Sequence, residues 1–150
     1  MDHNKISYIG VKGLIVRHDG NVLITQEPIH FQGGGKWELP GGKIAEGEES
    51  FPLEQILLRE VEEELGKSFK IEIRGIIDVM RRPWNKPGAR ADQVMLAVFE
   101  CLYRDGDVTL SDENDSYAWI GLNDIGNYTF VSGYLPVLRK YLEKHSKVGK

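Results

Sequence analysis

The sequence of 150 residues contains a single cysteine, Cys101, and no long apolar run. One cysteine cannot form an internal disulfide, and it cannot by itself build a cysteine-type zinc site. No apolar run approaches the ~20 residues that span a bilayer, and the polar start lacks the layout of a signal peptide. We therefore expect a cytoplasmic protein with no membrane-spanning segment.

The chain also lacks an excess of positive charge. It has 19 Lys and Arg against 23 Asp and Glu, which gives a formal net charge of -4. Proteins that bind duplex nucleic acid usually carry a basic face, so we expect no such partner. The length is typical of one compact domain, and no Pro/Gly/Ser-rich linker divides the sequence. The sequence therefore predicts a single domain over residues 1–150.

Strand-like and helical segments follow one another along this chain. Runs of β-branched and aromatic residues predict strands over Ile6–Val16, Val22–Thr25, Ile71–Val79, Gln93–Tyr103 and Ala118–Ile120. Apolar spacing predicts one helix from about Pro52 to Leu65, with Ser50 as a candidate cap, and a second from roughly Gly133 to His145. This mixture predicts an α/β fold in which helices pack on a mixed β-sheet.

Two segments are predicted to be loops. Residues from Glu27 to about Glu49 are rich in glycine, and little regular structure is expected there. Residues Arg81–Asp92 form a polar stretch with proline and glycine between two predicted strands. Long loops of this kind often carry function.

The first predicted helix carries acids on the face that should meet the core. Its apolar side is defined on a helical wheel by Leu53, Ile56, Leu57, Val61 and Leu65. Glu60 and Glu64 fall inside or at the edge of this apolar arc, and Glu63 lies beside them. The last two turns of the core-facing side are therefore acidic.

Such a cluster of acids is unfavourable unless something compensates it. Carboxylates three or four residues apart on a helix repel each other, and they lie near the negative end of the helix dipole. Burying them without partners costs much more. A hard divalent cation, Mg²⁺ or alternatively Mn²⁺, would remove the conflict. The alternative interpretation is an ordinary charged helix surface.

The glycine-rich segment and this helix together carry a family resemblance. Gly42, then five residues and Glu48, followed later by Arg59–Gly66 with the letters REVEEELG, resembles the Nudix box. That box reads G-x5-E-x7-R-E-U-x-E-E-x-G-U, where U is a bulky aliphatic residue. Two features depart from it: ten residues separate Glu48 from Arg59, three more than in the box, and Lys67 takes the last aliphatic position.

The resemblance implies a Nudix-type α/β/α sandwich and a Nudix pyrophosphohydrolase. Such enzymes hydrolyse a nucleoside diphosphate linked to another moiety with the help of Mg²⁺. It implies that the metal ligands are Glu60, Glu63, Glu64 and the Gly42 carbonyl, and that Arg59 orients Glu60. It also makes Glu63 the candidate catalytic base.

Two of these assignments stay open at the level of sequence. The acids within Asp112–Asp115 compete with Glu63 for the role of base, although they also fit a solvated turn. The three extra residues place the loop-bracing role of Glu48 in question, because Glu46 or Glu49 could take it over.

Substrate selection is expected to come from residues outside the box. Arg81, Arg82 and Trp84 are candidates to bind phosphates or to stack on a base; the alternative is a solvent-exposed loop.

The partner that the resemblance implies is a small nucleotide: a nucleoside triphosphate, an ADP-ribose-like sugar nucleotide or a dinucleoside polyphosphate. An alternative function is a noncatalytic Nudix-fold module that senses a nucleotide. Nudix proteins are often dimers, so the resemblance leaves a homodimer open, although no surface in the sequence identifies an interface.

Overall fold

The computed structural model describes residues 6–30, 34–84 and 87–146. The strands in these ranges are β1 (Ser7–Val16), β2 (Val22–Gln26), β3 (Trp37–Glu38), β4 (Gly41–Lys43), β5 (Lys70–Pro83), β6 (Gln93–Asp105) and β7 (Ser116–Ile120). The helices are α1 (Leu53–Leu65), α2 (Tyr134–Ser146) and a short 3₁₀ helix over Leu122–Asn127. Within the described ranges, no helix has both the length and the apolar character to span a bilayer.

The strands form one mixed sheet around β1. β1 pairs in parallel with β6, from Ser7 opposite Gln93 to Val16 opposite Leu102. β5 pairs with β6 in antiparallel fashion, and β2 follows β1 as a hairpin neighbour. The order is β3-β2-β1-β6-β5, while β4 pairs with β1 and β7 pairs with β2.

One helix covers each face of this sheet. Because side chains alternate along a strand, Val11 and Ile15 point to the layer that holds α1, whereas Leu14 points to the layer that holds α2. All three of these side chains are fully buried, which explains why β1 reads as a nearly continuous apolar run. The predicted α/β/α sandwich with a mixed sheet is confirmed.

The predicted loops contain more regular structure than expected. β3 and β4 lie inside the glycine-rich segment, where they are fixed by pairing of Thr25 with Glu38 and of Lys12 with Gly41. Strands of two and three residues carry too little local pattern to be read from sequence. β5 also continues to Pro83, because β6 provides pairing partners as far as Gln93. The prediction of a loop that begins at Arg81 was therefore wrong.

The predicted start of α1 needs a smaller correction. Ser50 does not cap the helix, since α1 begins at Leu53 after Pro52 and has no side-chain cap. The Gln55 N–H donates to the Pro52 carbonyl at 3.1 Å and closes the first turn. Before it, the Phe51 N–H donates to the Glu48 carbonyl at 3.0 Å. Residues 48–51 thus form a turn ahead of the helix.

Two neighbouring leucines of α1 test this packing. Leu57 is fully buried, whereas Leu58 is 47% exposed. We expect Leu57→Ala to lower the free energy of unfolding by about 2–5 kcal/mol because it leaves a cavity. Leu58→Ala makes the same chemical change in the same helix, and it should cost less than about 1 kcal/mol. Urea denaturation measures both, and equal losses would contradict the orientation of α1.

Candidate functional site

A cavity of about 620 Å³ is lined by residues that range from Tyr8 to Asn114. Its walls include parts of β1, β3, β4, α1, β6, the end of β5 and the loop before β7. This volume is within the usual range for small-molecule sites. The residues that line it divide into an acidic end and an aromatic end.

The acidic end is built by the last two turns of α1. Glu60 and Glu64 are one helical turn apart, and both are buried, with 9% and 6% of their surface exposed. Burial raises the pKa of Glu60, and it raises the pKa of Glu64 to about 7. Glu62, which points away from the core, is exposed. The helix therefore places two acids, and not the whole acidic run, in the cavity.

Backbone and side-chain donors hold Glu64 in place. The Gly41 N–H donates to Oε2 of Glu64 at 2.6 Å, and the Asn114 side-chain amide donates to Oε1 at 3.3 Å. The positive charge of Lys12 also favours the ionised form of Glu64, which opposes the effect of burial. Both oxygens of this carboxylate are thus fixed.

The two glycines of β4 allow the backbone to approach these acids. Gly41 has a φ of +137°, and a Cβ added there would lie 2.1 Å from the Val11 carbonyl oxygen. A Cβ added to Gly42 would lie 2.6–2.7 Å from three atoms of the Glu60 carboxyl group. Any side chain at Gly42 would therefore displace Glu60 or the strand.

Arg59 connects α1 to the loop that precedes it. Its Nε and Nη2 donate to the two oxygens of Glu48 at 2.5 and 2.7 Å, and its Nη2 lies 3.2 Å from Oε1 of Glu60. Glu48 also accepts the Ala45 N–H at 2.8 Å. The hydrogen bond from Arg59 is the larger cause, and that from the Ala45 N–H the smaller, of a pKa of Glu48 below its ordinary value. Glu49 instead accepts the Gly47 N–H. The longer spacing in the box therefore leaves the contact between Glu48 and Arg59 intact.

Glu63 lies outside the cavity. Its side chain is 53% exposed and accepts a hydrogen bond from Nη1 of Arg59 at 3.0 Å. Glu113, from the loop before β7, does line the cavity, and its charge contributes to raising the pKa of Glu60. The structure thus brings Glu60, Glu64, Gly42 and Glu113 together and keeps Glu63 at the edge beside Arg59.

The aromatic end contains two of the three predicted substrate-binding residues. Trp84 and Tyr8 meet edge to face, with ring centroids 5.7 Å apart, and Nζ of Lys43 lies 4.3 and 4.4 Å from the Tyr8 and Trp84 centroids. Arg82 also lines the cavity, with Cζ 5.3 Å from the Trp84 ring. Aromatic rings with cations beside them suit a base with an attached phosphate chain.

Arg81 is placed differently from Arg82. It is exposed, it pairs with Met95, and it does not line the cavity, whereas Arg82 pairs with Val94 and does. The cause is the alternation of side chains along β5, which sends neighbouring residues to opposite faces. The grouping of Arg81 with Arg82 and Trp84 is therefore corrected.

Comparison with known proteins agrees with this arrangement. A family model described as NUDIX domain matches residues 8–141. The chain belongs to the Nudix family. The chain is 30% identical over 105 residues to the nucleoside triphosphatase NudI of Klebsiella pneumoniae strain 342, a match that covers 63% of this chain and 67% of that relative.

Two further Nudix relatives support the same assignment. An 8-oxo-dGTP diphosphatase of Proteus vulgaris is 42% identical over 66 residues, which cover 44% of this chain and 54% of that one. The crystal structure of a MutT protein from Methanosarcina mazei Go1 superimposes with a TM-score of 0.72 and 27% identity, covering 99% of each chain. The Nudix fold thus extends over nearly the whole chain.

Sequence reasoning missed a buried ion pair in this Nudix site. Lys12 is 6% exposed, and its Nζ lies 2.8 Å from Oε1 of Glu38 and 3.2 Å from the Gly41 carbonyl oxygen. Burial alone would lower the pKa of Lys12, but the charges of Glu38 and Glu64 hold it above its ordinary value. The sequence does show a lysine between the apolar residues of β1, which is a sign of a buried charge. It does not show the partner, because Glu38 lies 26 positions away.

The acidic end fits a divalent cation that keeps part of its water shell. In residues 6–30, 34–84 and 87–146, no group of three or more His, Cys, Asp or Glu side chains converges so that it could hold a metal ion by itself. Mg²⁺ is usually bound by one or two carboxylates together with waters and substrate phosphates, and not by an all-protein cage. Glu60 and Glu64 beside the Gly42 backbone could form such an open set of oxygen ligands.

The burial of Glu64 predicts how the stability of the metal-free protein depends on pH. Because the pKa of Glu64 rises from 4.5 to about 7 on folding, the folded state keeps a proton that the unfolded chain releases. This contribution is complete below about pH 4.5 and is lost as the pH rises through about 7. Glu64→Gln cannot titrate, so at about pH 8 it should be more stable than the parent by roughly 1–3 kcal/mol.

Urea denaturation in the presence of a chelator, at several values between about pH 4.5 and pH 8, measures this difference. The stability gap between Glu64→Gln and the parent protein should widen as the pH rises. A gap that stays constant across this range would show that Glu64 is not a buried titrating acid.

Proposed function

We propose that this chain is a Mg²⁺-dependent Nudix pyrophosphohydrolase that cleaves a phosphoanhydride bond of a nucleoside diphosphate linked to another moiety. The observation that carries the proposal is the single cavity that joins the buried acids Glu60 and Glu64 to the aromatic wall of Tyr8 and Trp84. The relatives named as a nucleoside triphosphatase and an 8-oxo-dGTP diphosphatase support this chemistry. The candidate substrates are a nucleoside triphosphate, an ADP-ribose-like sugar nucleotide and a dinucleoside polyphosphate.

A metal is needed because substrate and site have the same sign of charge. The bridged phosphates are anionic, and Glu60, Glu64 and Glu113 line the cavity that would receive them. Glu60, Glu64 and the Gly42 carbonyl would hold Mg²⁺, or Mn²⁺ in its place, and Glu63 is a weaker candidate because it lies outside the cavity. The bound ion would neutralise the phosphates, polarise a phosphoryl oxygen and acidify a water.

The protein groups then have separate tasks in the hydrolysis. A water oxygen attacks phosphorus, the phosphoanhydride P–O bond breaks, and the proton of the water passes to a carboxylate. Glu113 is favoured over Glu63 as that base, because Glu113 lines the cavity whereas Glu63 is held by Arg59. Arg59 keeps Glu60 oriented through its contact at 3.2 Å, and Glu48 keeps Arg59 in place.

The extent of the family match also bears on the number of domains. We propose that residues 1–150 act as one Nudix domain, since the match to the family reaches from residue 8 to residue 141. A homodimer and a cytoplasmic location stay predictions from the sequence.

A substrate panel with two matched variants tests the proposed reaction. Purified protein is incubated with the three candidate nucleotide classes, with Mg²⁺ or with a chelator, and the products are identified. Glu60→Gln should lower turnover by on the order of 100-fold or more, since it removes a metal-binding charge. Glu62→Gln makes the same change two residues away on the exposed side of α1, and its turnover should be close to that of the parent.

The outcomes of this panel separate the hypotheses. Absence of Mg²⁺-dependent hydrolysis of every nucleotide would contradict the proposed enzyme. Tight binding of a nucleotide that is recovered intact would favour the noncatalytic sensing module instead. Equal losses in Glu60→Gln and Glu62→Gln would move the metal site away from the cavity.

The close contact between Gly42 and Glu60 provides a second test. Gly42→Ala would place a methyl group within 2.7 Å of the Glu60 carboxyl carbon, so the carboxylate must move. We expect turnover to fall by about 10- to 100-fold, as for other changes that disturb the orientation of a metal ligand. The control is Gly126→Ala, because no heavy atom lies within 4 Å of a Cβ added at Gly126. Unchanged turnover in Gly42→Ala would show that Glu60 need not be held there.

A further inference from the structure

Lys12 is a buried lysine whose side chain contacts the backbone of the proposed metal site. Its Nζ donates to the Gly41 carbonyl at 3.2 Å and to Oε1 of Glu38 at 2.8 Å. The stem of Lys12 also packs on Gly41, since a Cβ added to Gly41 would lie 3.0 Å from Cδ of Lys12. Lys12 therefore holds Gly41 by both a hydrogen bond and a packing contact.

Stability alone does not account for a lysine at this position. Its neighbours Val11 and Leu14 on β1 are apolar and fully buried, and Lys12 itself is only 6% exposed. Moving an ammonium group into the interior is costly, and apolar residues in place of a buried ion pair often give equal or greater stability. The hydrogen bond to the Gly41 carbonyl is a contact that an apolar side chain at position 12 would not supply.

The backbone at Gly41 needs to be held in place. Gly41 has a φ of +137°, and a residue without a Cβ leaves the peptides on both sides free to rotate. The Gly41 N–H donates to Oε2 of Glu64 at 2.6 Å, and the next residue, Gly42, lies against the Glu60 carboxyl group. A rotation at Gly41 would therefore move the donor that holds Glu64 and the backbone beside Glu60 at the same time.

We propose, on the basis of the proposed function, that Lys12 is a positioning residue of the metal site and acts through the Gly41 backbone. Its hydrogen bond fixes the peptide between Gly41 and Gly42. With this peptide fixed, the Gly41 N–H stays on Glu64 and Gly42 stays beside Glu60. A divalent cation then meets ligands that are already arranged, which lowers the cost of binding it.

The charge of Lys12 and its contact with Gly41 have opposite effects on cation binding. A positive charge near Glu64 disfavours a second cation there, so removal of the charge alone would tighten the binding of a divalent cation. Loss of the hydrogen bond to Gly41 would weaken that binding, because the ligands would no longer be held. The direction of the change in a Lys12 variant therefore decides between the two effects.

Mn²⁺ binding to the nucleotide-free protein, followed by the electron paramagnetic resonance signal of the free ion, measures this direction. Lys12→Met should bind Mn²⁺ about 10-fold more weakly than the parent or worse. The double variant Lys12→Met, Glu38→Gln should show the same loss, and it leaves neither charge of the pair unpaired in the interior. Equal or tighter binding in these variants would overturn the proposal.

Tyr134→Phe is the matched control for the same buried network. It removes the hydroxyl that donates to Oε1 of Glu38 at 3.5 Å, and it leaves the contact between Lys12 and Gly41 in place. Its affinity for Mn²⁺ should equal that of the parent. A loss as large as that of Lys12→Met would contradict a role that depends on Gly41.

Amide hydrogen exchange, followed by NMR in the presence of a chelator, tests the position of Gly41 without any metal. In the parent, the Gly41 N–H should exchange far more slowly than that of Gly47, which lies in an exposed turn. Lys12→Met should speed exchange at Gly41 by about 10-fold or more. Exchange at Ile44, whose N–H donates to the Ile9 carbonyl at 2.8 Å, should be unchanged.

Two results of this exchange experiment would overturn the proposal. One is fast exchange at Gly41 in the parent, which needs no variant to be observed. The other is exchange in Lys12→Met that is unchanged at Gly41, or that increases equally at Gly41 and Ile44, since the latter would indicate a general loosening of β4.

Failure of this proposal is distinguishable from failure of the proposed function. If the parent binds Mn²⁺ and hydrolyses a nucleotide while the Lys12 variants bind Mn²⁺ equally well, only the role of Lys12 is removed. If the parent neither binds Mn²⁺ nor hydrolyses any nucleotide, the proposed function fails. Amide exchange at Gly41 then still reports whether Lys12 holds this backbone.

Discussion

The burial of two like-charged carboxylates against the backbone of β4 is the constraint on which the site depends. Glu60 and Glu64 lie on the last two turns of α1, where the helix dipole is negative. Neighbouring carboxylates add repulsion, from Glu63 and Glu113 for Glu60 and from Glu38 for Glu64. The protein compensates with the Gly41 N–H, with Asn114, with the buried Lys12 and with Arg59. These partners hold the acids in fixed positions, yet the pKa of Glu64 still rises to about 7. Under the proposed function, a divalent cation would compensate the remaining negative charge of this pair.

The same constraint explains the elements around the cavity. β4 contains two glycines because its backbone must approach both the Val11 carbonyl and the Glu60 carboxylate, and a Cβ would fit at neither position. The Arg59–Glu48 contact fixes the loop against α1 and survives the longer spacing of the box. Residues 48–51 form a turn before Leu53, so the length of this loop does not alter the relative positions of Arg59, Glu60 and Glu64 within the helix. An insertion inside α1 would have rotated the acids away from the cavity.

Local pattern was sufficient to predict the sandwich, the acidic face of α1 and the resemblance to the Nudix box. The exposure of Glu62 and the burial of Glu60 and Glu64 follow directly from a period of 3.6 residues. Features that depend on distant pairing were not accessible in this way. The strands β3 and β4 exist because β2 and β1 pair with them, Lys12 is buried because Glu38 meets it, and Arg82 enters the cavity because β5 extends alongside β6. Glu113 shows no local signal that separates it from a solvated turn, and only the packing of its loop brings it to the cavity.

Direct measurement of cation binding tests the central claim most simply. Mn²⁺ can be titrated into the nucleotide-free protein while the electron paramagnetic resonance signal of the free ion is recorded. We expect the parent chain to remove Mn²⁺ from solution and Mg²⁺ to compete for the same site. The double variant Glu60→Gln, Glu64→Gln should leave the free signal unchanged although it folds normally. Binding of equal strength by this double variant would contradict the account, because the cation would then be held by other groups.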